Sequence, residues 1–283
     1  MPHPSRFTDP NGASADHAAR RDTPIAAYER GQWRAVDDAL AVERALEIHV
    51  AGAAPLITMR TPGHDRALAA GLLHSEGVIQ RAEDIVYLEH SPGEADVIRM
   101  MLKPEARARL DRIERSTVAT SACGVCGKPS FSPPRPQDAH PAADMTGLSP
   151  DVLLGLPDTL RAEQGVFAST GGIHAAGLFD HDGRLVDLAE DVGRHNALDK
   201  LVGRALLDHR LPLSDHILLL SGRASYELLQ KSVMAGLAVV CAISAPSSYA
   251  VALAREFDVT LVGFLRGHRF NVYSGGARIS GAS

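Results

Sequence analysis

Two cysteines spaced by two residues, Cys123-Gly-Val-Cys126, are the residues of this chain best suited by type and spacing to carry chemistry, and they are two of only three cysteines. They lie in Thr117-Val-Ala-Thr-Ser-Ala-Cys-Gly-Val-Cys-Gly-Lys-Pro129, where Gly124, Gly127 and Pro129 favour a loop over a helix. Paired thiols on an accessible loop suit sulfur chemistry. One thiolate can take sulfane sulfur from a donor persulfide. The second can then attack the inner sulfur of the new persulfide, which closes a disulfide and expels sulfide. Lys128 is near enough in sequence to lower a thiol pKa. The third cysteine, Cys241, stands in the apolar run Leu237-Ala-Val-Val-Cys-Ala-Ile-Ser244 and reads as a buried strand residue.

Metal and redox readings of the pair compete with this one. A structural zinc site needs four ligands, and the chain has no second Cys-x-x-Cys. A thioredoxin-like pair opens a helix, which Lys128-Pro129 contradicts. Zinc deaminases use His-x-Glu followed by Pro-Cys-x-x-Cys, and His74-Ser-Glu76 precedes the pair in the right order. Ala122 replaces the proline, however, and with 13 histidines in the chain a chance His-x-Glu is expected. A zinc-dependent deaminase-like hydrolase stays open as an alternative.

Composition sets the class. At 283 residues the chain has room for one large domain or two ordinary ones. With 45% hydrophobic and 22% charged residues it reads as an ordinary soluble protein. No apolar stretch is long enough to span a bilayer, and the start lacks the apolar core of a signal peptide. Three cysteines give no even disulfide framework, so the cytoplasm is the expected compartment. A net charge of -5 disfavours broad nucleic-acid binding.

The elements that must position the cysteines fall into four stretches. Residues 1–20 read as a disordered tail and residues 21–115 as a smaller N-terminal α+β domain. In the latter, strands are predicted over 42–50, 55–60, 84–88 and 95–102, with a helix through 67–73. Residues 116–143 hold the cysteine loop and a Pro-rich connection. In residues 144–283, strands over 172–179 and 184–188 flank an Asp180-His-Asp-Gly183 turn, and a helix begins near Gly193. Strands over 216–220, 238–243 and 259–264 alternate with helices over 226–233 and 249–256, as βαβ crossovers do. The predicted fold class is α/β, with a three-layer α/β/α domain on a mixed sheet.

Three segments of this half carry ligand-binding chemistry. In Leu218-Leu-Leu-Ser-Gly-Arg-Ala-Ser-Tyr-Glu227 a strand passes through Gly222 into a helix whose start could hold a phosphate beside Arg223, or could be an ordinary turn. Phe264-Leu265-Arg266-Gly267-His268-Arg269 follows the last core strand, where open α/β sheets bind ligands. Its two arginines and histidine around a glycine suit an anionic nucleotide, against the reading of a solvated basic turn. Asp191-Val-Gly-Arg-His-Asn196 puts an acid, a base and an amide at a helix start, either as a cap or as a site wall.

Taken together, the chain resembles the formate dehydrogenase accessory sulfurtransferase family, FdhD. The resemblance rests on Thr61-Pro-Gly63, Glu76-Gly77, Thr120-Ser-Ala-Cys-Gly-Val-Cys-Gly127, Thr170-Gly-Gly-Ile-His174 and Glu190-Asp-Val-Gly-Arg-His-Asn-Ala-Leu-Asp-Lys200. It continues through Ser221-Gly-Arg-Ala-Ser-Tyr-Glu227, Ser244-Ala-Pro-Ser-Ser248, Ala250-Val-Ala-Leu-Ala254 and Gly263-Phe-Leu-Arg-Gly-His-Arg-Phe-Asn-Val-Tyr273. It implies a sulfur carrier between a cysteine desulfurase and molybdenum bis(molybdopterin guanine dinucleotide), the cargo whose sulfido ligand activates formate dehydrogenase. By resemblance Cys123 bears the persulfide, Cys126 is its partner in relay or release, and Phe264 through Arg269 touch the cofactor. The resemblance also implies a cytidine deaminase-like fold for the larger domain and a homodimer; on the residues themselves, no metal ligands are expected. A chaperone that shields the cofactor without moving sulfur is a further alternative.

Overall fold

A computed structural model of the chain describes residues 19–111 and 145–282. Cys123, Cys126, Lys128, the expected tail up to residue 18 and all of the expected 116–143 connection lie outside the described residues. The first elements are β1 (Arg20–Glu29) and β2 (Gln32–Ala41), paired antiparallel as a two-stranded sheet. They turn at Arg30-Gly31, where φ is 51° and 84°, the two positive angles of a type I′ hairpin. No strand was predicted here. Small and charged residues occupy both faces of the ribbon, so the period-2 contrast that marks a half-buried strand is missing.

A four-stranded sheet follows, in the order β4-β3-β6-β5. Its strands are β3 (Arg44–Val50), β4 (Leu56–Arg60), β5 (Ile85–Ser91) and β6 (Glu94–Leu102), close to the predicted runs. Leu46, Ile48, Ile98, Met100 and Leu102 point to one face, the period-2 alternation at work, and pack with Leu68 and Leu73 of helix α1 (Asp65–Ser75). A short helix, α2 (Pro104–Arg107), ends this part.

The second part is built on a six-stranded mixed sheet in the order β12-β11-β10-β9-β7-β8. The hairpin β7 (His174–Phe179) and β8 (Leu185–Asp191) is antiparallel, and β9 (Ile217–Leu220), β10 (Val239–Ala242) and β11 (Thr260–Arg266) run parallel. The crossovers are α6 (Tyr226–Met234) and α7 (Ser248–Glu256), as the alternating strand and helix pattern requires. Together with α5 (Arg194–Leu207) these helices cover one sheet face through Leu198, Leu201, Leu229 and Leu253. The opposite face packs on Leu153, Leu156 and Leu160 of α3 (Pro150–Glu163). Helix α3, the short α4 (Gly165–Thr170) and the edge strand β12 (Arg269–Ser274) were not predicted. Pro157 inside α3 hides a helix from a propensity reading, yet Ser149 accepts a capping bond from Asp151 N–H at 3.2 Å with Pro150 at the first position.

The two parts meet along α1 and α5, whose backbones touch. A Cβ added at Gly71 would stand 1.9 Å from the carbonyl oxygen of Asp199, and one at Gly203 would stand 1.8 Å from that of Ala67. At the end of the seam, β4 and β8 finish side by side. Asp191, fully buried, accepts from Lys200 Nζ at 2.7 Å and from Thr61 N–H at 3.1 Å through Oδ2. Its Oδ1 accepts from Gly193 N–H at 2.8 Å and Asn196 Nδ2 at 3.2 Å. Lys200 also donates to Thr61 O at 2.8 Å, and Asn196 donates to Met59 O at 2.7 Å. Burial pulls the Lys200 ammonium down, against the pull of Asp191 upward. Arg60, next to Thr61, grips Asp65 at the start of α1 with two bonds of 2.9 and 2.8 Å.

Two outcomes follow from this seam. Gly71→Ala forces α1 and α5 apart and is expected to cost about 3 kcal/mol, read as a lowered urea midpoint with an unchanged slope. Asp191→Ala strands Lys200 in the interior and is expected to cost about 3–5 kcal/mol in the same measurement.

Candidate functional site

The parallel strands end along one edge of the six-stranded sheet, and the turns there are tied into a row. Antiparallel pairing brings the start of β7 to this edge, with Ala176 opposite Leu220 and His174 opposite Asp191. Ser221 N–H donates to Ala175 O at 3.0 Å, and Ala175 N–H donates to Ser221 Oγ at 2.9 Å. Ser244 N–H donates to Gly222 O at 3.3 Å, Ser247 N–H to Ala224 O at 2.9 Å, and Phe264 N–H to Ser244 O at 3.1 Å. These bonds carry the ladder past the formal strand ends. The row forms a fixed floor at the place where open α/β sheets take their ligands.

Phe264 through Arg269 form the far rim of this floor. Strand β11 runs through Arg266, so the stretch is a strand end plus a hairpin turn rather than a loop after the strand. Gly263 pairs with Asn271 and Arg266 with Arg269, so Phe264 and Leu265 together face only Phe270, which makes a bulge. Phe264 takes a left-handed φ of 53°, and this re-aims its half-buried ring. The Arg266 guanidinium stands 5.6 Å from the centre of that ring. Gly267, with φ 59°, and His268 make the turn. Arg266, Gly267, His268 and Arg269 are exposed, whereas the Leu265 side chain is fully buried in the core beneath them. The stretch therefore brings one aromatic face and two guanidinium groups to the surface. A Cβ at Gly263 would meet Pro246 Cδ at 2.8 Å and the Tyr273 ring at 3.0 Å, so glycine is what lets the β10–α7 turn lie against β11.

Two helices begin on the same edge. Ser247 caps α7, accepting from Ala250 N–H at 3.2 Å. Ser225 does not cap α6 with its side chain, and its hydroxyl lies 3.4 Å from His195 Nε2 instead. The first turn of α6 thus keeps N–H groups aimed outward beside exposed Arg223, the arrangement expected for a phosphate, although Glu227 adds negative charge there. Tyr226 and Tyr249, in the first turns of α6 and α7, meet edge to face with centroids 6.3 Å apart. Burial pushes the Tyr226 hydroxyl up to about 12.

Behind the floor lie two histidines that are kept neutral. His195 Nε2 is 3.5 Å from Glu227 Oε2, yet burial, helped by Lys231, Arg194 and His174, brings its pKa down to about 3. His174, 3.5 Å from Ser221 Oγ, is pulled down by burial and by Arg194, against Asp191. Deeper still, Lys231 Nζ bonds both oxygens of Asp199 at 3.0 and 2.9 Å, and Ser75 Oγ donates to Asp199 at 2.8 Å. This cluster ties α1, α5 and α6 together, and Asp199, Glu227 and Glu76 hold the Lys231 ammonium charged against its burial.

The structure thus divides the sequence candidates. It gathers the Ser221–Glu227 and Phe264–Arg269 segments on one edge. In Asp191–Asn196, Asp191 and Asn196 are spent joining the two parts, and His195 reaches the floor. His74 is buried, with Nδ1 3.1 Å from Ile79 O and Nε2 3.2 Å from Met234 O, so both ring nitrogens face carbonyls and neither is presented to a metal. Cys241 is buried and its thiol pushed up to about 12, as its apolar run predicted. Cys123 and Cys126 lie outside the described residues. His174, Ser75, Asp199 and Lys231 are not among the sequence candidates. The signal for Ser75, Asp199 and Lys231 is a charge or hydroxyl set inside an otherwise apolar helical stretch, as in Leu198-Asp-Lys-Leu201, whereas His174 opens strand β7.

Comparison with known proteins matches residues 41–280 to the FdhD/NarQ family. The chain is 51% identical over 252 residues to the sulfur carrier protein FdhD of Streptomyces coelicolor, covering 86% of this chain and 89% of that one. It is 47% identical over 269 residues to the protein of the same name from Mycolicibacterium paratuberculosis, covering 92% and 97%. Its fold is shared with a crystal structure of a candidate formate dehydrogenase accessory protein from Desulfotalea psychrophila, at a TM-score of 0.72 and 24% identity over 92% of this chain and 99% of that one. On the family match and these identities, the chain belongs to the FdhD/NarQ family.

Proposed function

We propose that this chain is a sulfur carrier that takes persulfide sulfur from a cysteine desulfurase and delivers it to molybdenum bis(molybdopterin guanine dinucleotide) for formate dehydrogenase. The observation that carries the reading is the coincidence, in one chain, of Cys123-Gly-Val-Cys126 with similarity along most of its length to proteins named sulfur carriers. In the first step the Cys123 thiolate attacks the outer sulfur of the donor persulfide, and the donor cysteine leaves as a thiolate. Release through Cys126 forms the Cys123–Cys126 bond, breaks the bond between Cys123 and the carried sulfur, and frees that sulfur as hydrosulfide. The carried sulfur is reduced and the cysteine pair oxidised, so a cellular dithiol must reduce the pair before the next turn.

The cargo is a multiply charged nucleotide, and the sheet edge has groups that fit it. Arg266 and Arg269 offer exposed guanidinium groups, the Phe264 ring an aromatic face, and the start of α6 free N–H donors. His174 and His195 are neutral, so they hold or exchange a hydrogen bond at the floor without adding charge. In this proposal the layered half is a cytidine deaminase-type domain over 144–283, the 21–115 unit is its smaller companion, and 116–143 carries the cysteines between them. The carrier works in the cytoplasm as a homodimer. No helix among the described residues is long and apolar enough to cross a membrane.

Two measurements test the reading. After incubation with a cysteine desulfurase and cysteine, non-reducing intact mass is expected to rise by one sulfur for the wild type and not for Cys123→Ala. Sulfur on neither, with client activation intact in Cys123→Ala, would make the protein a cofactor chaperone instead. Arg266→Ala is expected to weaken GDP binding by about tenfold or more in titration calorimetry, the loss of one charge-assisted contact. Unchanged affinity removes this rim from the cradle.

A further inference from the structure

Beyond its root, the β1–β2 ribbon has both faces exposed. Trp33 is 71% exposed and Tyr28 63%, their rings 5.1 Å apart on one face, while Val36 is 42% exposed on the other. A two-stranded hairpin with neither face covered is marginal in water, and this one also exposes Ile25, Tyr28, Trp33 and Val36 among its charged and small residues, so it calls for a partner. Its root is fixed, since Val42 N–H donates to Ala19 O at 2.8 Å and Ala19 packs with Val166 and Ile173. What needs covering is the outer two-thirds of the ribbon.

The two edges of the ribbon are unlike. Pro24 sits in β1 opposite Asp37. Having no N–H, it marks a pair that exchanges no ladder bonds, and it blunts the outer edge of β1. The tight turn gives the same phase, because Glu29 and Gln32 flank a two-residue loop and form the closing bonded pair. Trp33, Ala35, Asp37 and Ala39 of β2 therefore turn their N–H and C=O groups away from β1. Ala39 N–H bears this out, being taken at 3.0 Å by its neighbour Asp38. The outer edge of β2 has no proline. It is the open edge.

We infer that β2 pairs through this edge, antiparallel, with β2 of a second copy of this chain about a two-fold axis at Val36. The register follows from charge. Centring on Val36 sets Arg34 opposite Asp38 of the other copy twice over, in close pairs without ladder bonds, while Ala35 meets Asp37 and Trp33 meets Ala39 in bonded pairs; the Ala39 N–H exchanges Asp38 Oδ1 for the Trp33 carbonyl of the other copy, which frees Asp38 for Arg34. A shift by one step to either side puts Arg34 against Val36, or Asp37 against itself. Within the ribbon Arg34 faces Ala27 and Asp38 faces Thr23, and among the described residues neither has an ion pair. Pairing yields a four-stranded sheet closed by symmetry, with the blunted β1 strands at both ends. The inference rests on the homodimer put forward above and names the surface that makes it.

Sedimentation velocity on the full chain tests it, with Arg34→Asp, Asp38→Arg and the two combined. The wild type is expected to be a dimer, each single reversal to weaken it by roughly tenfold through two like-charge contacts, and the double reversal to restore it. In a Cys123→Ala/Cys126→Ala background, Val36→Cys is expected to give a disulfide-linked dimer on mild oxidation, because two residues on the axis of such a pair stand at bonding distance. A dimer that ignores both reversals and does not cross-link at position 36 overturns the edge and leaves the homodimer standing. A wild type that is monomeric removes both.

Discussion

The joint between the two parts of the chain depends on one buried carboxylate. Asp191 ends β8, and the acceptor positions of its two oxygens are taken by Thr61 just after β4, by Gly193 at the cap of α5, and by Asn196 and Lys200 within α5. Removing both Asp191 and Lys200 from water is costly, and only near-ideal geometry offsets it. That cost works as a position lock. The ammonium must reach both Asp191 and the Thr61 carbonyl, so β4 can end in only one place relative to β8. Hydrophobic contact between α1 and α5 brings the parts together, and the ion pair sets where they stop.

The same strand end feeds the site in alternation. Glu190 turns outward and accepts from Val166 and Phe167 N–H at 3.0 and 2.9 Å, steadying α4. Asp191 turns inward, and His195, one helical turn on, faces Ser225 and Glu227. Lysine charge near the floor is spent internally, on Asp191 and Asp199, and the histidines are neutral. Free positive charge is thus left to guanidinium groups on the rim. In a protein with net charge -5, exposed positive charge is thereby concentrated at one rim.

Some of this was legible in the residues and some was not. Apolar runs such as Ile217–Leu220 and Val239–Ala242, separated by helices, could only make parallel strands, and they do. The arginines and Gly267 of the rim were visible because charge and glycine at a strand end are unusual. The bulge at Phe264 was not visible, because it depends on how two strands of unequal residue count are paired. Nor was the burial of Leu265, or the use of Asp191 and Asn196 as fasteners. A polar cluster at a helix start reads the same whether it faces a ligand or another part of the chain. The ribbon is silent for the opposite reason, since both of its faces are exposed and no buried stripe marks either strand.

The glycine contact between α1 and α5 has a mechanical consequence. Two helices whose backbones touch at Gly71 and Gly203 cannot rock or slide past each other without prising the seam open. The parts on either side of it do not act as jaws. Under the proposed function, a long cargo would be received on a standing surface rather than enclosed by closing domains, and would leave by the way it came. For a protein that must give up what it holds, an anvil serves better than a trap.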